Sequence, residues 1–243
     1  MNKRVQVGIA LALLGLIALA QTATISAQRG NAKQPEYDIV QTQVRRQGTQ
    51  LTFTMQVSAR AGGVRPTAAG KLAGSSVYSY VWPTSLDSSS VGFEAKQGVL
   101  ALAATSHPDF DDTPLFDENN DGNPGNDGDL WHSHWVVLVP DDACGKGNLK
   151  VRDIPQGTTP KLPATWPRLP ILIDSPGYEP SFSGTTITVR VPLKELGFPK
   201  EFAYDGVTAA LRVNADVHSP LLCVVDVFDV ASNNLSLPGK VRP

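Results

Sequence analysis

Three things are scarce in this chain: a helical hydrophobic period, cysteine and histidine. No stretch carries apolar residues at three- and four-residue spacing, so a helix bundle or an alternating βα fold is excluded. Only two cysteines are present, Cys144 and Cys223. That rules out a thiolate-rich metal cluster and leaves one disulfide as the expectation, with a lone Cys ligand as the alternative. A bridge closing a loop of that length stabilises by about 4 kcal/mol on the chain-entropy account. No basic patch exists to hold nucleic acid. No Ser sits in G-x-S-x-G, so the hydrolase elbow is missing. Neither an internal repeat nor a low-complexity tract occurs, and no ladder of exposed aromatics is evident.

Only one long apolar run exists, Gly8 to Ala20, preceded by Lys3 and Arg4. It is short for a membrane span, and small residues follow it up to Ala27, with Ile25 three places before the cut. Residues 1–27 therefore read as a signal peptide, with no Cys nearby for a lipid anchor. The mature chain is expected in the periplasm, on the cell surface or secreted, with no transmembrane segment left. Its loss removes Lys3 and Arg4 and no acid, moving the formal charge from −2 to −4. Residues 28–36 form a polar, flexible leader, and 37–243 a single domain.

What is abundant is turn chemistry: Gly 21 and Pro 19. Between the turns lie short strand-like runs. Leu51, Phe53, Met55 and Val57 alternate with polar residues and pair across Arg46 to Thr49 with a first strand at Ile39 to Val44. Val77 to Trp82, the hairpin pair Val91 to Ala95 and Gly98 to Thr105, Leu149 to Ile154, Ile171 to Ile173, Thr185 to Val191, Val207 to Val213 and Leu221 to Val230 follow. Gly98 to Thr105 reads as buried on both faces, and Pro192 to Gly197 as one helical turn. Nine or ten short antiparallel strands predict an all-β chain, an antiparallel β-sandwich with long loops.

The chemistry concentrates between Asp109 and Val139. Asp117-Glu118-Asn119-Asn120-Asp121-Gly122 fits D-x-[DN]-x-[DN]-G, in which oxygens at alternate positions curl around a hard cation and Gly lets the chain turn. An EF-hand closes with Glu at position twelve, where Gly128 stands here. The expected calcium donors are therefore Asp117, Asn119, Asp121, Asn123, Asp127 and Asp129, in a loop outside any EF-hand. Asp111 and Asp112 lie just before it. A solvated Asn/Asp/Gly loop that binds nothing is the alternative.

A strand-like run, Leu130 to Val139, follows without a spacer and carries His132 and His134. Side chains two apart on a strand share a face, so both imidazoles can grip one ion. That face also carries Leu130, Val136 and Leu138, which places the imidazoles in a partly apolar pocket, while Trp131, Ser133 and Trp135 turn to the core. The other histidines, His107 and His218, sit in loops at strand ends. His132, His134 and His218, with His107 as a further candidate, make an all-imidazole site suited to Cu, Zn or Ni. Asp216 is placed to orient an imidazole. One core and one surface histidine with nothing bound is the competing reading.

At these residues the chain resembles the exported, copper-repressible surface proteins of methane-oxidising bacteria. These are β-rich domains with a calcium site and a mononuclear copper site. The resemblance spans Val77 to His218. It implies copper held by His134 and His218, and a copper donor or acceptor protein as partner. In that family a tryptophan oxidised to kynurenine stands two residues before the first histidine. Here that position is His132, and Trp131 and Trp135 are each one residue away.

Three functions compete. The first is an exported copper-binding protein for acquisition, storage or buffering. The second is a calcium-stabilised module that binds a glycan or surface partner through Trp82, Trp166, Tyr78 or Tyr80. The third is a metalloenzyme with Asp109 or Asp216 beside the histidines, although no general base is evident.

Overall fold

A computed structural model of the protein describes residues 21–214 and 221–243. Most of the expected signal peptide, together with Asp216 and His218, lies outside the described residues. In chain order the strands are β1 (Gln21–Ser26), β2 (Ile39–Gln47), β3 (Gln50–Val57), β4 (Ser76–Pro83), β5 (Val99–Ser106), β6 (His132–Pro140) and β7 (Leu149–Val151). They continue as β8 (Ile173–Asp174), β9 (Ser181–Ser183), β10 (Thr186–Pro192), β11 (Phe202–Tyr204), β12 (Val207–Val213), β13 (Leu222–Val230) and β14 (Gly239–Val241).

The antiparallel all-β class is as the turn-rich sequence predicts, but the architecture is not strictly a sandwich. One layer is an open sheet in the order β1-β2-β3-β10-β9. The other runs β5-β4-β12-β13-β7-β6, and a further pairing of β5 with β6 closes it into a six-stranded barrel. Alternation along a strand reports two faces. It does not report whether the strand at one edge meets the strand at the other, which is decided by twist and by the bulk of the inward side chains. Here the inward positions include Ser79, Ala101, Ala103 and Ala209, small enough to let the sheet curl.

Two cores result. Outward residues of the barrel wall, among them Tyr80, Trp82, Leu100, Leu102, Trp135 and Val137, pack with Phe53, Met55, Ile187 and Val189 of the open sheet. Inward residues, among them Val77, Val81, Ala103, Val136, Leu138, Ala209 and Leu211, form a separate cluster inside the barrel. β5 is thus apolar on both faces, as its sequence implies. Pairing of β13 with β7 is a single rung, Cys223 opposite Lys150. The disulfide Cys144–Cys223 crosses that seam with a Cα–Cα distance of 5.4 Å.

One local expectation is corrected. Val91 to Ala95 is not a strand: Ser88–Val91 is a 3-10 turn capped by Asp87, whose side chain accepts from the Ser89 amide, and it ends at Gly92 in the left-handed region. The partners of β5 are β4 and β6 instead. Within residues 28–36, the Gly30 and Asn31 amides donate to Asp38 Oδ1 at 2.7 and 2.9 Å.

β1, inside the span expected to be cleaved, pairs with β2 from Gln21↔Arg46 to Ser26↔Gln41. It buries Ile25, and the Tyr204 hydroxyl donates to its Ala23 carbonyl at 2.7 Å. Burying one Ile side chain is worth about 2 kcal/mol. A chain beginning at Gln28 should therefore melt roughly 4–8 °C below one beginning at Gln21, measured by calorimetry on the two purified chains.

Candidate metal centre

The β5–β6 ladder sets the centre. Its register places Thr105 opposite His132 and Ala103 opposite His134. Period two then turns both imidazoles into the barrel beside Val136 and Leu138, and sends Trp131 and Trp135 to the inter-layer core. His107 follows the end of β5, and its amide donates to the Gly128 carbonyl at 2.7 Å. The imidazole stacks on Phe110, with centroids 4.0 Å apart. Gly128 is required here because a Cβ would lie 1.7 Å from the Phe110 carbonyl oxygen. The loop thus presses the turn from His107 to Asp112 against the barrel end and delivers Asp112 among the histidines.

His107, Asp112, His132 and His134 are all buried and offer ligand atoms within 4.8 Å of one another. The Nε2 atoms of His107, His132 and His134 each lie 3.1 Å from Asp112 Oδ1. His107 Nε2 and His132 Nε2 are 2.9 Å apart. Metal–nitrogen bonds of about 2.0–2.1 Å place neighbouring donors roughly 3 Å apart, so the spacing is that of a coordination shell.

The other ring nitrogens decide which way the lone pairs point. His107 Nδ1 lies 3.0 Å from the Phe110 carbonyl and His132 Nδ1 lies 2.9 Å from the Leu130 carbonyl. Carbonyl oxygens only accept, so both Nδ1 atoms carry protons and donate. His134 Nδ1 lies 3.1 Å from Ser175 Oγ, whose own proton goes to the Asp112 carbonyl at 2.6 Å. Ser175 must therefore accept from His134. In its neutral form each ring is thus held as the Nδ1–H tautomer with Nε2 toward Asp112, and Thr105 Oγ1 also lies 3.2 Å from His132 Nε2.

Three lone pairs and a carboxylate oxygen around one buried point repel each other unless a cation stands among them. Asp112 Oδ1 and His134 Nε2 are buried with no hydrogen-bond partner. Burial disfavours the charged form of every group here, and nearby charge works against it. For Asp112, the charges of His134 and His107 outweigh desolvation and hold the carboxyl well below its ordinary value. For His107, the charge of Asp112 and its hydrogen bonds prevail over burial and raise the pKa above the usual imidazole value. For His132 burial dominates, and the pKa falls to about 4.

A second cluster lies alongside, made of Asp111, Glu118 and Asp127. Asp111 Oδ2 accepts from the Asp127 amide at 3.0 Å, and Asp127 Oδ2 from the Glu118 amide at 2.9 Å. Asp127 Oδ1 is fully buried with no partner. Burial, reinforced by the charges of Asp111 and Asp127, raises the pKa of Glu118.

The structure therefore sorts the expected residues. It brings His132 and His134 together with His107, and it adds Asp112, which sequence reasoning had left beside the calcium loop. Of the six expected calcium donors only Asp127 joins a carboxylate cluster. Asp117, Asn119, Asp121 and Asn123 accept hydrogen bonds from the loop's own amides, and Asp129 lies 3.6 Å from Arg65. Asp109 is engaged by the Ala69 and Gly70 amides, away from the imidazoles. Of the four aromatics expected to form a platform for a glycan, Trp82 and Tyr80 are fully buried, because they face the open sheet, and Tyr78 and Trp166 are half-buried.

No protein-family model, curated protein or solved structure matches the chain. Its chemistry rests on the geometry alone: a buried three-histidine, one-aspartate centre able to bind a metal ion.

Because the His107 pKa is raised above the ordinary imidazole value, metal and proton compete for its Nε2 as pH falls. Affinity should be greatest above the His107 pKa. It should then fall by up to about tenfold per unit as pH drops below it, while His132 adds nothing until pH nears 4. Titrating metal affinity between pH 5 and 9, with proton release followed in a weak buffer, measures this.

Proposed function

We propose that the protein is an exported copper-binding protein, serving acquisition, storage or buffering of the ion. The observation that carries this reading is the fixed tautomer of three buried imidazoles, each aiming Nε2 at Asp112 Oδ1. Neutral imidazole suits copper, zinc and nickel, and among divalent ions Cu²⁺ binds nitrogen and oxygen donors most tightly. Export is supported by Lys3, Arg4 and the apolar run that follows. A copper donor or acceptor protein is the partner this function requires.

Purified protein loaded with Cu²⁺ and desalted should retain about one equivalent by elemental analysis. His132→Ala and His134→Ala should each weaken binding by 100-fold or more, because only three of the four donors remain around a buried ion. Asp112→Asn removes the charge and keeps the volume, and should weaken binding about tenfold or more. Retention of zinc but not copper in a mixed competition would replace copper by zinc in this reading. Retention of neither metal would end it.

The hard-cation part of the reading moves from the loop tip to its base. We propose that calcium is held by Asp111, Glu118 and Asp127, with the orphaned Asp127 Oδ1 as the oxygen awaiting it. Three carboxylates at one place suit Ca²⁺. Its role is structural: the cation pins the loop against the turn that carries Asp112. Millimolar Ca²⁺ should raise the melting temperature, and Asp127→Ala should abolish the rise. The same protection in Asp117→Ala, which alters the loop tip alone, separates the two placements.

A further inference from the structure

The barrel is not filled. Inside it lies a cavity of about 290 Å³. A closed barrel of so few strands ordinarily has its interior occupied by its own side chains. Here the middle of the wall is built from small residues: Ala209 stands opposite Ser79, and Ala103 lies between Val81 and His134 in register. Ser79 is not a polar lining group in effect, since its hydroxyl is spent on the Ala209 carbonyl at 2.9 Å. Apolar side chains, among them Val77, Val136, Leu138 and Leu211, surround the rest.

The cavity has two unlike ends. At one, His107, Asp112 and His134 of the metal centre line it. At the other, beyond the Val99↔Leu138 rung, the lining includes Val99 and Val227, which are 36% and 49% exposed. β13 outruns its short partner β7 on that side, so the wall opens there. The space is therefore an apolar sleeve, open at the far end and terminated by one polar centre.

We propose that the barrel interior binds a small apolar molecule with a single oxygen-bearing end, its hydrocarbon part along Ala103 and Ala209 and its polar end at His134 and Asp112. An apolar cavity of ~150 Å³ stays dry and takes up benzene, so one about twice as large suits a guest of roughly 12 non-hydrogen atoms. A medium-chain alcohol or acid has that size and that asymmetry. The placement of the polar end rests on the metal reading. The occupation of the sleeve does not.

The test uses 1-decanol and decanoate as probes on the full mature chain, metal-free and copper-loaded, by calorimetric titration. Decanol should bind one-to-one in both forms. Ala209→Leu and Ala103→Leu each put a larger side chain into the void, and each should weaken decanol binding tenfold or more without lowering the melting temperature. Retained copper binding in Ala209→Leu would show that its metal centre is intact. Decanoate should bind at least tenfold tighter to the loaded protein, because bound metal offsets the charge of Asp112. Failure of decanol to bind saturably, or unchanged binding in both filled variants, overturns the proposal. Equal decanoate affinity with and without bound copper overturns the placement of the polar end. Absence of bound copper by elemental analysis is a separate result: it removes the metal reading and leaves the decanol arm to decide the sleeve.

Discussion

The pairing of β5 with β6 is the contact on which both the barrel and the metal centre depend. It closes a sheet that would otherwise be open, and the same rungs that close it set His132 beside Thr105 and His134 beside Ala103. Slipping this register by one residue would turn both imidazoles into the inter-layer core and the tryptophans into the barrel. Trp131 and Trp135 resist that slip, because their rings pack with Tyr80 and with Phe53 on the far side of the strand. The large apolar face of β6 thus holds its small polar face in place.

The chain between these two strands is long, and its acidic residues serve two distinct purposes. Asp111 and Asp112 are neighbours in sequence yet belong to different clusters. Asp111 accepts from the Asp127 amide and fastens the excursion to itself, whereas Asp112 turns inward to the histidines. Anything that tightens the carboxylate cluster therefore also steadies the ligand next to it. Gly128 belongs to the same device, since no other residue could approach the Phe110 carbonyl so closely. What resembles a free calcium loop is in this fold the outer half of the imidazole centre.

The centre also explains why the barrel end can remain polar within an apolar wall. A buried carboxylate and three imidazoles would be costly if each were isolated. Fixing every Nδ1 to an acceptor and collecting every Nε2 at one point converts that cost into affinity for a positive charge. Four mutually repelling acceptors are the alternative, and any cation bound among them relieves it.

Much of this was legible before any coordinates. Period two in Leu130 to Val139 fixes which residues share a face, because strand geometry is local, and so the shared direction of His132 and His134 and the opposite direction of Trp131 and Trp135 follow from order alone. The two cysteines likewise left one disulfide as the natural expectation. Barrel closure was not legible, since it is a meeting between strands whose edges carry no mark in the sequence. Neither was the role of Asp112, which depends on a loop of about two dozen residues folding back on itself, nor the base rather than the tip of that loop as the place where carboxylates gather. The amino-acid order by itself determined the strand faces, the turn chemistry and the donor types. Only the tertiary structure decided which donors meet, because convergence of side chains from distant segments is set by sheet curvature and close backbone approach rather than by local periodicity.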